Sequence, residues 1–273
     1  MTNLIYRYAT AETFLTMLGS QELWFSDLRK MNDWDEYAAG FRIAKEIISQ
    51  EFPEHIEALE EIAPERMDVR FMVLICSFSN TGDCLSMWRG YGGNGQGAVI
   101  GYDPETIKMI TLGNRYVSTM SPVSGNVLFY PVIYDKETYR LQVRSYIQRI
   151  FANNQTTPKE NMPLFLKIRH RMLQIALMRL CTLYKNDFFI DEREVRGFIE
   201  INEINDPYDL KERLSDFGQA IYHKINIKQP KFPAIKEVIM GPLCTLAIDS
   251  IQEKLHANGL SNVIIKKSRG TYR

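Results

Sequence analysis

From Glu192 onward the chain alternates. Val195, Gly197, Ile199 and Ile201 are small or apolar, and Glu192, Glu194 and Arg196 stand between them in register. Only an extended strand puts alternate residues on one face, so the pattern predicts a strand over 188–203 with one apolar side and one charged side. Two carboxylates two positions apart then stand ~7 Å from each other along the strand. Arg196 on the same side can pair with Glu194 and keep it ionised. Such a strand can floor a cleft. The same pattern also describes a solvated charge ladder on an exposed sheet face.

A strand of this kind needs partners, and the chain supplies short candidates at 4–8, 22–26, 70–79, 98–102, 127–134, 221–227, 235–240 and 263–267. Thr10 can cap a short helix through Phe14, Leu15 and Leu18, closed by Gly19. Tyr37, Phe41, Ala44 and Ile48 recur at helical spacing, and an acidic helical stretch follows over 53–62. One or two helical turns are expected over 84–91, a helical pair over 136–152 and 163–185, and a helix over 243–257. Strands and helices do not alternate regularly, which argues against a doubly wound sheet. The expected class is α+β, with eight or nine strands in mixed, largely antiparallel sheets and a helical insertion near 136–185. No linker divides the chain, so one domain over 1–273 is expected.

Composition removes several classes. By surface scaling, the unfolded chain exposes ~46,000 Å² and the folded monomer ~12,000 Å², enough burial for a sizeable core. Lys and Arg together number 33, as do Asp and Glu, so the net charge is zero. That argues against broad, non-specific nucleic-acid binding while leaving a local basic groove open. No apolar run is long enough to span a bilayer, and the opening residues lack a signal-peptide pattern. Cys76, Cys84, Cys181 and Cys244 show no C-x-x-C spacing, and His55, His170, His223 and His256 are scattered. No zinc site is expected. The cysteines read as reduced core thiols, and the expected location is cytoplasmic, away from membranes.

Other segments carry candidate chemistry. Arg7 lies between Tyr6 and Tyr8, where a guanidinium could clamp phosphate or a ribose-bearing ligand, or stack on the tyrosines and pair with a surface carboxylate. Ser26 ends a strand, where its hydroxyl could orient a ligand. Asn32 and Asp33 suit a turn and a helix cap, while Asp33, Asp35 and Glu36 could also be taken for a metal site. Trp88 and Tyr91, three apart, can be core or can wall a pocket for a flat ring. Gly90, Gly92, Gly93, Gly95 and Gly97 permit close backbone approach to a ligand, but the loop runs into a strand and is not a Rossmann fingerprint.

In order, the motifs are Tyr6-Arg7-Tyr8, Leu23-Trp24-Phe25-Ser26, Asn32-Asp33 with Glu36, Ser77-Phe78-Ser79, and Met87-Trp88 with Tyr91. Gly97, Ile100-Gly101-Tyr102-Asp103, Lys185 with Glu192, Glu194 and Arg196, Val238-Ile239-Met240-Gly241-Pro242, and Ser268 with Tyr272-Arg273 follow. Together they resemble a bacterial domain family catalogued as of unknown function, found in many bacteria and in phage-associated loci. The family usually has tryptophan where this chain has Phe189.

That family in turn resembles the ADP-ribosyltransferase fold, in its arginine–serine–glutamate branch. The resemblance implies that Arg7 holds the phosphate or ribose of NAD, that Ser26 supports the nicotinamide ribose, and that Glu194 and Glu192 are catalytic. Here Ser26 is followed by Asp27-Leu28 rather than the branch's Thr-Ser. Tyr8, Trp88 and Tyr91 would sandwich the nicotinamide, with Arg196 beside the cofactor. Cleaving the nicotinamide–ribose bond develops positive charge on the ribose, which a fixed carboxylate stabilises in the transition state. The second glutamate would orient or deprotonate the acceptor. The implied activity is an ADP-ribosyltransferase or NAD glycohydrolase, in a toxin or phage-defence role, with a protein or nucleic-acid acceptor and no metal. The alternatives are a catalytically inactive ligand-binding or interaction module of the same fold, and a metal-dependent nuclease built on Asp33, Asp35, Glu192 and Glu194.

Overall fold

The computed structural model describes residues 3–28, 34–66, 72–117, 127–151, 162–201, 210–215 and 218–271. Strands β1 (Ile5–Ala9), β2 (Glu22–Asp27), β3 (Met72–Ser79), β4 (Ala98–Tyr102) and β5 (Leu128–Pro131) precede β6 (Glu194–Ile201), β7 (Leu210–Ser215), β8 (Gly218–Asn226), β9 (Ile235–Met240) and β10 (Ile264–Lys267). The helices are α1 (Ala11–Ser20), α2 (Trp34–Glu51), α3 (Ile56–Glu60), α4 (Leu85–Gly90), α5 (Pro104–Val117), α6 (Lys136–Phe151), α7 (Met162–Leu183) and α8 (Ile248–Ala257). The class is α+β, with one mixed sheet of ten strands where eight or nine were expected. Pairing is antiparallel throughout except between β9 and β10.

The middle strand, β3, organises the molecule. One of its edges is taken along its whole length by β6, from Met72↔Ile201 to Ser79↔Glu194. The other edge is shared: β2 meets it at Ile75 and Leu74, and β1 meets it at Ser79. From β1 the sheet continues through β4, β9 and β10, and from β2 through β8 and β7.

Two apolar clusters cover the two faces. On one side Ile5, Ala9, Phe25, Cys76, Phe78, Val195 and Ile199 pack with Phe14 and Leu18 of α1 and with Ile251 and Leu255 of α8. On the other, Ile75 and Phe198 pack under α2, α3, α6 and α7. The helical pair thus covers the sheet, and Leu173, Leu177, Met178, Leu180 and Cys181 are buried along α7, whereas Leu166, Ile168 and Met172 in its first half are exposed, so the burial that its apolar breadth predicted holds only for the second half. A third, smaller cluster on this second side joins Tyr8, Met87, Trp88, Val99 and Ile239 beneath α4.

Several local expectations need correction. Residues 188–192 are not strand: a 3-10 helix, Asp187–Glu192, precedes β6. Asn186 starts it by accepting the Phe188 N–H, and Arg193 ends it in the left-handed region at φ 44°. The period-two pattern therefore begins at Glu194, not at Phe188. Helix α1 runs past Gly19 to Ser20, and Gln21, at φ 49°, terminates it. Helix α5 was not foreseen, although Asp103-Pro104 is a start signal. Asp103 accepts the Glu105 N–H at 3.1 Å and the Thr106 hydroxyl at 2.8 Å, and Pro104 needs no partner for an N–H. Strand β7 was also missed.

Part of the glycine loop is tied to neighbouring strands. Its backbone is packed against strand ends: Gly241 N–H donates to the Gly97 carbonyl at 2.9 Å and Leu243 N–H to the Gly95 carbonyl at 2.8 Å. A Cβ on Gly97 would stand 1.9 Å from the Ala9 carbonyl oxygen, whereas one on Gly90 would meet nothing within 4 Å. Gly97→Ala is expected to destabilise the protein by about 3 kcal/mol through overpacking. Gly90→Ala, at the end of α4, is expected to be neutral or to stabilise by roughly 0.5–1 kcal/mol. Urea unfolding of the two variants side by side checks both signs.

Candidate functional site

Five ionisable side chains from four parts of the chain converge where β6 leaves β3: Glu36 of α2, Lys185 after α7, Glu192 of the 3-10 helix, and Glu194 and Arg196 of β6. Lys185 Nζ donates to Glu192 Oε2 at 2.7 Å and to Glu194 Oε2 at 3.1 Å, and lies 3.3 Å from Glu36 Oε1. Arg196 Nε donates to Glu194 Oε1 at 2.8 Å, while its Nη2 donates to Glu194 Oε2 at 3.0 Å and to Glu36 Oε2 at 2.6 Å. Its Nη1 donates to the Thr182 carbonyl at the end of α7.

Exposure is graded across this network. The Arg196 side chain is fully buried at 0%, Glu194 is at 5% and Lys185 at 6%, but Glu36 reaches 14% and Glu192 16%. Glu36 and Glu192 are therefore the outward ends, and Glu192 is the one beside Tyr91. Tyr91 Oη donates to Glu192 Oε1 at 3.0 Å, and the tyrosine itself is half exposed. The Lys185 ammonium also lies 4.9 Å from the centre of the Phe189 ring. Behind Glu194, the Tyr134 oxygen accepts the Glu194 N–H at 2.9 Å. Ser79 Oγ donates to the Glu192 carbonyl at 2.6 Å, tying the 3-10 helix to β3.

Burial alone would raise the Glu194 carboxyl. The Arg196 and Lys185 charges overcome that and hold it well below the usual carboxylate range. Burial pushes Tyr134 up to about 12, so its phenol stays protonated. Burial also raises Tyr91, and the Glu192 carboxylate beside it adds to the shift.

The structure brings Glu192, Glu194, Arg196 and Tyr91 together and leaves Arg7 and Ser26 elsewhere. Tyr6 and Ser79 are paired, so Tyr6 and Tyr8 face the Glu194 side, and Arg7, between them, faces the other. There Arg7 Nη1 donates to Cys76 Sγ at 3.0 Å among the first apolar cluster. Ser26 faces the Glu194 side but pairs with Ile75, ~13 Å along β3 from Ser79. It accepts a hydrogen bond from Arg213 Nη2 at 3.1 Å. Arg196, fully buried and engaged on every side, presents no surface to a cofactor.

Tyr8 and Trp88 do meet, with ring centres 4.9 Å apart and edge to face, but both are buried. Tyr8 Oη donates to the Thr81 carbonyl and accepts the Cys84 N–H. Trp88 Nε1 donates to Asp83 Oδ1. Of the proposed aromatic wall, Tyr91 is the one that reaches solvent. Glu36 and Lys185 belong to the site and were not assigned to it from sequence.

Residues 87–197 match DUF2971, described as a protein of unknown function. The DUF2971 segment runs from α4 to the middle of β6. It contains Tyr91, Lys185, Glu192, Glu194 and Arg196, while Glu36, Arg7 and Ser26 lie before it. No curated protein and no solved structure gives a significant match.

Of the nuclease carboxylates, Asp33 lies outside the described residues, as do Asn32, Tyr272 and Arg273, and Asp35 is exposed on α2. Among the described residues no group of three or more His, Cys, Asp or Glu side chains is placed to hold a metal ion. Nor is any described helix long and apolar enough to cross a membrane. Cys76 and Cys181 are buried thiols, while Cys84 and Cys244 are half-buried; all four are free.

Proposed function

We propose that the chain is an NAD-consuming enzyme, an ADP-ribosyltransferase or NAD glycohydrolase, in which Glu192 is the carboxylate that meets the ribose. The observation that carries this reading is the sharing of one buried ammonium by three carboxylates, Glu36, Glu192 and Glu194, of which Glu192 lies beside an exposed tyrosine. Burying five ionisable groups costs more than their mutual attraction returns unless every partner is well placed. A network of this kind ending at an accessible carboxylate is a candidate for chemistry.

Each residue then has a distinct task. Tyr91 releases Glu192 Oε1 as substrate enters, and its ring packs against the nicotinamide. The freed oxygen accepts the ribose 2′-hydroxyl and faces the positive charge that grows as the glycosidic bond breaks. Lys185 orients Glu192, and Glu194 with Arg196 orients Lys185. Glu194 is thus a positioning residue, and Arg7 and Ser26 do not touch the cofactor. A toxin or phage-defence effector acting on a macromolecular acceptor fits this activity.

Glu192→Gln is expected to reduce nicotinamide release from NAD by roughly 10²–10³-fold, the scale for removing one electrostatic stabiliser. Its melting temperature should stay within about 2 °C of the parent, because the residue sits at the open end of the network. Full activity in Glu192→Gln overturns the assignment. A second reading, a binding module without turnover, is favoured by the occupation of both Glu194 oxygens. Calorimetric binding of NAD by the parent with no nicotinamide released would establish it instead.

A further inference from the structure

Beside the charge network lies a cavity of about 460 Å³ between the β5 segment, α6 and α7. It falls in the size range of small-molecule sites, roughly 300–1,000 Å³. Leu180 and Leu183 form apolar wall, and Tyr130, Tyr134 and Tyr146 add three aromatic rings. Four polar side chains also line it, Asp135, Thr138, Gln142 and Arg179. Arg179 is fixed in place: its guanidinium lies 5.4 Å from the Tyr130 ring centre, and Nη1 donates to the Tyr130 oxygen at 3.3 Å.

The cavity touches the network at two points. Tyr134 lines it, and the same residue accepts the Glu194 N–H. Ile190 lines it too, and stands two residues before Glu192 on the 3-10 helix. Whatever fills the cavity therefore lies against the residue that accepts the Glu194 N–H and against the 3-10 helix that carries Glu192.

We propose that this cavity is a nucleoside subsite, holding the adenosine end of the dinucleotide whose ribosyl bond is broken at Glu192. Aromatic walls suit a flat heteroaromatic ring by stacking. The carboxamide of Gln142 carries a donor and an acceptor, the pair that the amino and ring-nitrogen edge of adenine requires. Arg179 supplies planar, bidentate donors of the kind that phosphate takes. Burial keeps the Tyr134 phenol protonated, so the carboxylate on the lining is that of Asp135, which is exposed, and phosphate would lie on the Arg179 side. The choice of adenosine rests on the NAD reading. The cavity and its linkage to Glu194 do not.

Adenosine alone, titrated calorimetrically into the full chain, tests the subsite without requiring turnover. Saturable binding is expected in the parent and in Glu192→Gln. Ala176→Phe, which fills the cavity from α7, should weaken it at least tenfold, and Gln142→Leu by roughly tenfold, the value of one well-made hydrogen bond. Thermal melts accompany each titration; if Ala176→Phe melts early, Gln142→Leu carries the comparison. No adenosine binding by the parent, or binding unchanged by the substitutions, overturns the subsite. Adenosine binding that the substitutions weaken, without any nicotinamide release, upholds the subsite while the catalytic reading falls. Nicotinamide release without adenosine binding does the reverse.

Discussion

Replacement of Arg196 by methionine is expected to lower folding stability by about 4 kcal/mol, the scale for breaking a buried ion pair from one side. For a chain of this size that is a fall of about 10 °C in melting temperature. The guanidinium is fully buried and donates to Glu194, Glu36 and the Thr182 carbonyl. It thereby ties β6 to α2 and to the end of α7. Methionine fills much the same volume, so the loss comes from two carboxylates and a carbonyl left short of donors rather than from a cavity. Arg196→Lys keeps the charge but cannot reach all three partners at once, and should recover only part of the loss. Near-ultraviolet circular dichroism during heating reads the transition. A shift of less than about 2 °C in Arg196→Met would show that the pairings do not hold the helices to the sheet.

What could be read from sequence depended on how local the cause was. The β6 alternation was legible because strand geometry is local, and β4 and β9 fall where their apolar runs predicted them. The start of that strand was misplaced even though the alternation fails before Glu192, with Phe188 and Ile190 apolar at charged-face positions and Asp191 and Arg193 charged at apolar-face positions. The asparagine that starts the 3-10 helix, Asn186, acts through one side-chain hydrogen bond that period counting does not see. Arg7 carried a signal that went unused. Its neighbours on the same strand face are Ile5 and Ala9, both buried, so the guanidinium had to enter the apolar side while the two tyrosines faced the other.

Glu36 and Lys185 stood among the sequence motifs, but nothing local showed that they touch Glu194 or Arg196. Glu36 meets Arg196 across 160 residues of chain, and only the packing of α2 and α7 on the sheet brings them together. The two-carboxylate motif and its Arg196 partner were therefore visible in sequence, but the contacts of Lys185 and Glu36 and the order of exposure within the site are products of the tertiary fold. The order of exposure is what separates the roles. An alternating strand makes Glu192 and Glu194 equivalent, whereas the 3-10 helix puts one at the opening and the other under cover.

That separation gives opposite outcomes for two otherwise similar substitutions. Glu194→Gln is expected to destabilise the protein at neutral pH by about 3 kcal/mol, while Glu192→Gln leaves it nearly unchanged. Arg196 and Lys185 hold Glu194 well below the ordinary value of 4.5 in the folded state, and in the unfolded chain those charges are no longer beside it. The unfolded chain therefore takes up the proton first as the pH falls. The stabilisation from Glu194 is complete above about pH 5, declines as the pH drops through 4.5, and is gone once the folded carboxyl is itself protonated near pH 2. A glutamine at 194 has nothing to titrate. Its stability should start lower at pH 7 and lose less between pH 5 and pH 2 than that of the parent, so the two curves converge in acid. Urea unfolding at half-unit steps over that interval measures the convergence. Parallel curves would mean that the Arg196 and Lys185 pairings do not stabilise the Glu194 carboxylate. They would remove the structural half of the division of labour between the two glutamates.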